Sequence, residues 1–163
     1  MSVLKCTTVG ILSLQALGAC YRYNPETNPP WVYDLLGIRP YIESHVKARG
    51  FKGLSENMTA HSGYKFTAGC VHVHEETVKI CNSGFHYGTE PQVALQFYDS
   101  DSSVYHHVVD LWTIQEAALC RGGTKVVTNK LFIGDPLDGI YSGLRFCNGK
   151  LVTYADGERS QFA

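Results

Sequence analysis

The sequence lacks an excess of charge of either sign. Its 163 residues include 14 lysines and arginines and 15 aspartates and glutamates, which give a formal net charge of -1. Proteins that hold nucleic acid non-specifically neutralise phosphates and release counterions, which requires a strongly basic surface. The composition therefore argues against non-specific nucleic-acid binding.

Long apolar runs and closely spaced cysteine pairs are also missing. The apolar segment over residues 9–19 contains polar residues and is too short to span a bilayer. The six cysteines are scattered without a CxxC pair, and no segment has the form of a secretory signal peptide. We expect a cytoplasmic protein with no membrane partner, whose thiols are free and mostly buried.

Several motifs of known chemistry are absent. The chain contains no P-loop, no Gly-x-Gly-x-x-Gly turn, no Gly-x-Ser-x-Gly elbow and no His-Glu-x-x-His pair. None of the seven histidines begins a His-x-Thr or His-x-Ser element, which disfavours phosphoesterases of the two-histidine type. No motif in the sequence therefore indicates a particular reaction, and whether the protein is an enzyme stays open.

What is present is a change of pattern near residue 50. Residues 1–49 have the spacing of a helical extension, residues 50–138 consist of short β-rich runs, and residues 139–163 contain a hairpin signal. A chain of this length buries a sizeable core without disulfides or metals. We therefore predict one α+β domain over residues 1–163, with a mostly antiparallel twisted sheet and a few short helices.

The individual elements follow from local patterns. We predict helices over residues 9–19 and 31–48, the latter interrupted by Gly37 and Pro40, with a proline-rich connector over residues 23–30. The predicted strands are Tyr64 to Phe66, Cys70 to His74, Val78 to Cys81, Val104 to Trp112, Lys125 to Ile133 and Leu151 to Tyr154.

Two further signals are sharper. Residues 90–98 carry an apolar helical face, with Thr89 as the predicted N-cap and Pro91 in the first turn. Asn148-Gly149 between two β-rich runs predicts a two-residue hairpin turn.

Histidines are concentrated in one part of the chain. His72 and His74 share one face of a predicted strand, because strand side chains alternate with period two. With one of His86, His106 or His107 they would form a metal-dependent hydrolase site, since imidazole is a common metal ligand. The alternative, which we favour, is that both line the solvent face of an edge strand and that no metal is bound.

The stretch from Cys81 to Pro91 runs directly into the predicted helix. A strand that leads through a Gly-Thr turn into a helix brings backbone amides and polar side chains together, which suits a phosphate or carboxylate. His86 and Tyr87 lie at its centre. The alternative is that Tyr87 is a core residue and that His86 satisfies a backbone carbonyl.

The same stretch belongs to a longer pattern. The segments are Phe51-Lys52-Gly53-Leu54, Asn57-Met58-Thr59-Ala60, Tyr64 to Gly69, Cys81 to Tyr98, Ser103 to Val108 and Thr124 to Ile133. Their order resembles a phage and prophage domain of unknown function with the pattern YKGF, CxSGFHACExPxDVxxYY and TKVAAxKI. The chain departs from it at Tyr87-Gly88-Thr89, where the family has Ala-Cys-Glu, and at Asp135-Pro136-Leu137.

A looser likeness connects these segments to the ADP-ribosyltransferase fold. That resemblance implies that Lys52 and His86 contact the ribose or pyrophosphate of a nucleotide such as NAD, and that Tyr87 stacks on its base. The carboxylate that orients a ribose hydroxyl would be Glu116 or Asp135, so the catalytic candidates are His86 and these two. The implied ligand-binding residues are Lys52, His86, Tyr87, Thr89 and Arg121.

These resemblances imply two kinds of function. The first is a phage-type accessory or anti-defence protein in the host cytoplasm, which sequesters or modifies a nucleotide-like ligand without a tightly held cofactor. The second is a protein-interaction inhibitor of a host defence complex that has no small-molecule pocket, for which the ten tyrosines would supply an interface.

Overall fold

Antiparallel β-strands make up most of the chain that the structure describes. A computed structural model of the protein describes residues 38–98, 102–112 and 116–153, and the helix predicted over residues 9–19 and the connector over residues 23–30 lie outside them. The elements in chain order are α1 (Ile38–His45), β1 (Ala48–Leu54), β2 (Cys70–Val73), β3 (Phe85–Gly88), α2 (Pro91–Phe97), β4 (Val104–Asp110), β5 (Glu116–Cys120), β6 (Gly123–Thr128), β7 (Lys130–Pro136), β8 (Gly139–Tyr141), β9 (Leu144–Cys147) and β10 (Lys150–Thr153).

Seven strands form one sheet in the order β2-β7-β4-β1-β3-β6-β5, and each neighbouring pair is antiparallel. Strands β8, β9 and β10 form a second, three-stranded antiparallel sheet. These findings confirm the predicted mostly antiparallel sheet with short helices. Over the described ranges, neither helix is long and apolar enough to cross a membrane.

Two apolar clusters pack against the large sheet. Strand β4 contributes Val108 to one cluster and Tyr105 to the other, and residues an odd number of positions apart on a strand point to opposite faces. The first cluster is covered by Met58 and Ala60 from the loop after β1. The second joins α2 to the small sheet through Leu95 and Phe146. The core therefore lies on both faces of the large sheet.

Three strand predictions need correction. Residues 64–66 and 78–81 form loops that carry only isolated bridges, because high β-propensity produces a strand only where a partner strand supplies a ladder. The run from Lys125 to Ile133 is two strands, β6 and β7, which are separated at Asn129.

The turn and helix signals had mixed outcomes. The helix predicted over residues 90–98 is confirmed as α2, but Thr89 is not its N-cap. Glu90 occupies that position, and the Thr89 hydroxyl instead accepts a hydrogen bond from the Thr124 N–H at 2.9 Å. Pro40 lies within the first turn of α1 rather than interrupting it, which is a position that tolerates proline.

The Asn148-Gly149 turn is confirmed. It joins β9 to β10, and both residues have positive φ, 52° and 81°, as a type I′ hairpin turn requires. Glycine and asparagine adopt this conformation at little cost, so the local sequence was sufficient to predict it.

The prediction of free thiols is confirmed for three of the four cysteines described, whereas the prediction that they are mostly buried is wrong for those three. Cys70 is buried but is bonded in a disulfide. Cys81 and Cys147 are free and exposed, and Cys120 is partly exposed.

Candidate functional site

A groove opens where two central strands separate. Strands β1 and β3 pair only at Phe51 and Gly88, whereas β1 pairs with β4 along all seven of its residues. Beyond that single pair, the continuing residues of β1 and β3 form the walls of a cavity of about 640 Å³. The loops around residues 60–64 and 81–84 and the end of α2 complete its lining.

Lys52 lies in this gap. Its side-chain nitrogen donates a hydrogen bond to the backbone carbonyl of His86 at 2.6 Å, so the side chain bridges the separated strands. The nitrogen also lies 5.3 Å from the ring centre of Phe66. Burial, and to a lesser degree the charge of Lys125, lower the pKa of Lys52 to about 8.

His86 fastens the loop that precedes β3. The backbone N–H of Cys81 donates to its Nε2 at 2.8 Å, and the ring also forms a hydrogen bond to the backbone of Gly84. Burial, followed by the charges of Lys125 and Lys52, lowers the pKa of His86 to about 4. The ring is therefore neutral at physiological pH, and both of its nitrogens have partners in this conformation.

Lys125 supplies a second cation to the groove. Its nitrogen lies 4.0 Å from the ring centre of Phe97 and donates to the Cys81 sulfur at 3.3 Å. Among the residues that the structure describes, the ion pair is between Lys150 and Glu56, and no carboxylate pairs with Lys125 or Lys52. The positive charges of the groove are therefore available to an anion from solution.

Aromatic rings line the groove and its mouth. Tyr64 and Phe97 line the groove and are 41% and 40% exposed. His61 stacks on Tyr98 with ring centres 4.3 Å apart, and both residues line the same groove. Such rings offer flat apolar surfaces for stacking next to the two cations.

Tyr87 belongs to the core although it also lines the groove. It is only 3% exposed, and its hydroxyl donates to Oδ2 of the buried Asp110 at 2.8 Å. Asp110 also accepts hydrogen bonds from the Thr128 hydroxyl at 2.7 Å and the Trp112 N–H at 3.0 Å. Burial raises the pKa of Asp110, and burial together with Asp110 raises the pKa of Tyr87.

The remaining sequence candidates lie elsewhere. Thr89 is bonded to the β6 backbone, and Arg121 lies in the exposed turn between β5 and β6, where its carbonyl accepts a hydrogen bond from Gln96. Neither residue lines the groove. Of the five predicted ligand-binding residues, the structure thus brings together Lys52, His86 and Tyr87.

Neither catalytic carboxylate candidate lines the groove. Glu116 accepts a hydrogen bond from the Ile80 N–H at 2.6 Å and so anchors the loop before β3. Asp135 lines a second cavity of about 480 Å³ together with Arg49 and His107. The carboxylate that does line the groove is Glu76.

His72 and His74 have different surroundings. His72 is buried, contrary to the expectation of a solvent-facing side chain, and its ring contacts the Tyr64 hydroxyl at 2.9 Å and the Thr67 N–H at 3.1 Å. His74 lies 2.9 Å from the Ser83 hydroxyl at the groove. Across the described ranges, no three histidine, cysteine or acidic side chains are grouped to hold a metal ion.

Sequence reasoning did not single out Lys125 or the exposed rings of Tyr64 and Phe97. The available signal for Lys125 was a charged residue directly before the two buried valines of β6. No local signal identified the two rings, because the groove mouth is formed by a loop and a helix end that are distant in sequence.

Comparison with known proteins gives one match. The model of the family described as Domain of unknown function (DUF7666) matches residues 48–139, which is more than half of the chain and includes the strands that form the groove. Neither the curated proteins nor the solved structures contain a match. The sequence resemblance to a domain of unknown function is thereby confirmed, and this chain belongs to the DUF7666 family.

Proposed function

We propose that the protein binds a nucleotide-like anion in the groove between β1 and β3. The observation that carries the proposal is that Lys52 and Lys125 lie in one groove with exposed aromatic rings, and that neither pairs with a carboxylate of the residues described. A phosphate would pair with the ammonium groups, and a base would stack on Tyr64 or Phe97. The cavity volume of about 640 Å³ is in the range of small-molecule sites.

The ADP-ribosyltransferase likeness supports the same location. The segments on which it rests, Phe51-Lys52-Gly53 and Gly84 to Thr89, flank the gap between β1 and β3. Glu116 and Asp135 lie outside the groove, so the carboxylate of the transferase outline has no counterpart among the predicted residues. This favours sequestration of the nucleotide over ADP-ribosyl transfer, with Glu76 as the carboxylate that an enzymatic version would use.

The biological setting we propose is a phage-type accessory role against host defence. It rests on the resemblance to phage and prophage proteins, and on the fact that a small protein that sequesters a nucleotide can silence a signal.

Mass spectrometry of a filtrate tests the proposal. The purified protein is incubated with NAD, ADP-ribose and cyclic oligonucleotides, and the filtrate is analysed before and after heat denaturation. Loss of one nucleotide, with its unchanged release on heating, is the expected result, whereas new masses indicate catalysis. Lys125→Ala should weaken retention by roughly ten- to a hundredfold, since a charge-assisted hydrogen bond contributes about 1.5–3 kcal/mol. Lys150→Ala, which removes only a surface ion pair, is the control.

If no nucleotide is depleted from the filtrate, the proposed site is wrong. A second candidate function then gains weight, because β5 is the last strand of the large sheet among those described and Leu119 on it is 91% exposed. An exposed apolar edge strand is a template for pairing with another protein. Leu119→Lys should then abolish capture of a host complex, whereas capture that survives this substitution would contradict the second candidate function.

A further inference from the structure

Lys52 combines features that are rare for a lysine. It lies in the middle of a central strand, its nitrogen donates to a backbone carbonyl rather than to a carboxylate, and a second ammonium group lies close enough to affect its charge. A lysine that only supports the fold would pack its apolar stem against the protein and extend its charged nitrogen into the solvent. The nitrogen of Lys52 instead remains inside the groove, between the ring of Phe66 and the backbone of His86.

These surroundings are those of an activated amine. The nucleophilic form of lysine is the neutral amine, and enzymes generate it by desolvating the side chain or by placing another cation beside it. Both effects act on Lys52, and together they lower its pKa to about 8. The carbonyl of His86 accepts a hydrogen bond from a neutral amine as well as from an ammonium group, so the contact holds the nitrogen in either state.

We infer that Lys52 is a reactive amine that forms a Schiff base with an aldehyde or ketone carrying an anionic group. The inference rests on the proposed function, because it uses the same groove and assigns the anionic group to Lys125. The amine nitrogen attacks the carbonyl carbon, and the carbinolamine loses water, so the carbonyl oxygen leaves with the two protons of the amine and a C=N bond forms. No oxidant, metal or further reactant is needed.

The ligand class follows from the neighbours of Lys52. Lys125 offers a cation for a phosphate, and the exposed rings of Tyr64 and Phe97 offer stacking surfaces for a flat group. A phosphorylated aldehyde with an aromatic ring matches all three features. Pyridoxal 5′-phosphate has this chemistry and serves here as a probe.

The expected selectivity can be stated in advance. At about pH 7.5, a lysine with pKa of about 8 holds roughly two orders of magnitude more neutral amine than a lysine with the ordinary value. Lower basicity makes the amine a weaker nucleophile, which offsets part of this gain, so we expect Lys52 to react about tenfold faster than exposed lysines. The rate should rise between about pH 7 and 9.

Other titratable groups line the same groove and must be followed in the pH series. They are Lys125 on β6, His86 on β3, and Glu76, Cys81, His61 and His74 on the loops. A reaction of Cys81 with the aldehyde would be reversed by dilution, whereas borohydride fixes the C=N bonds that amines form. The reduced adduct therefore reports on amines alone, and peptide mapping separates the lysines from an N-terminal amino group.

The experiment uses the full chain, pyridoxal 5′-phosphate and sodium borohydride, followed by peptide mapping. Modification of Lys52 about tenfold faster than the exposed Lys150, and its absence in Lys52→Arg, is the expected result. Mapping on the natural chain needs no variant, so the test remains valid if Lys52→Arg does not fold. If all lysines are labelled at equal rates, or if Lys52 is not labelled, the inference is overturned.

Competition separates this inference from the proposed function. If Lys52 is labelled, and the nucleotide retained in the filtration assay slows this labelling, both the Schiff-base inference and the proposed function are supported. If Lys52 is labelled but no nucleotide is retained, the reactive amine stands and the nucleotide site is wrong. If a nucleotide is retained and Lys52 is not preferentially labelled, the groove binds nucleotides and the Schiff-base inference is overturned.

Discussion

The side-chain nitrogen of Lys52 lies 2.6 Å from the backbone carbonyl oxygen of His86, across the gap where β1 and β3 no longer pair. The Lys52 side chain thus forms a hydrogen bond between β1 and β3 at a position where the two backbones are no longer paired. It does so at the cost of desolvating an ammonium group that pairs with no carboxylate in the part of the chain that the structure describes. Natural proteins keep such arrangements mainly at sites of function.

Replacing this lysine should improve stability under conditions where it is charged. The pKa of Lys52 is about 8 in the folded protein and about 10.4 in an unfolded chain, so the unfolded state binds the proton more tightly between these values. The natural chain should therefore gain about 2 kcal/mol relative to Lys52→Met as the pH rises from about 8 to 10. Urea titrations at several pH values measure this. Lys150→Met is the control, and equal pH dependence of all three proteins would contradict the prediction.

Acid should destabilise the fold through its neutral histidines. His72 and His86 have pKa values of about 4, lowered mainly by burial, against about 6.5 in an unfolded chain. The unfolded state then binds more protons between about pH 6.5 and 4, and stability falls across this window by about 2 kcal/mol for each histidine. His72→Gln should remove the part of the loss that His72 contributes, about 2 kcal/mol, as measured by urea midpoints at two pH values. An identical profile for His72→Gln and the natural chain would argue against this origin.

The hydroxyl of Tyr87 should matter for stability rather than for ligand binding. Tyr87→Phe leaves one oxygen of the buried Asp110 without its donor, which should cost about 1–3 kcal/mol. Nucleotide retention should not change, because the ring that remains is a core element. Thermal unfolding and the filtration assay measure the two effects separately. Tyr141→Phe, whose hydroxyl lies 3.3 Å from His107, is the matched control. Loss of retention without loss of stability would instead support a direct ligand contact.

Gly50 should tolerate no side chain. A Cβ atom at this position would lie 2.4 Å from Cδ2 of Tyr87 and 2.5 Å from the carbonyl oxygen of Gly88. Both neighbours are fixed in the sheet, so Gly50→Ala should destabilise the protein by about 3 kcal/mol or more. Gly63→Ala meets no atom within 4 Å and carries only the cost of its positive φ, about 1 kcal/mol. Denaturant midpoints compare the two, and similar values would show that β1 and β3 shift easily.

The sequence by itself determined the local features. Asn148-Gly149 produced a hairpin because two adjacent positive φ angles favour these residues. The apolar spacing and Pro91 in the first turn predicted α2, although a helix of 7 residues is stable only because its apolar face packs on the core. Strand-like composition also predicted the antiparallel sheet. It failed for residues 78–81, where the described residues supply only the isolated bridge between Lys79 and Ser83.

Only the tertiary structure decided the site. The order β2-β7-β4-β1-β3-β6-β5 places β1 beside β3 and β3 beside β6, and period-two alternation gives the face of a residue but not its neighbours across strands. For this reason Lys52 and Lys125 share a groove although they are distant in sequence, while Tyr87 turns to the buried Asp110 and Thr89 to the β6 backbone. Strand pairing is a long-range choice made by the whole core, so no local pattern could reveal where β1 and β3 separate.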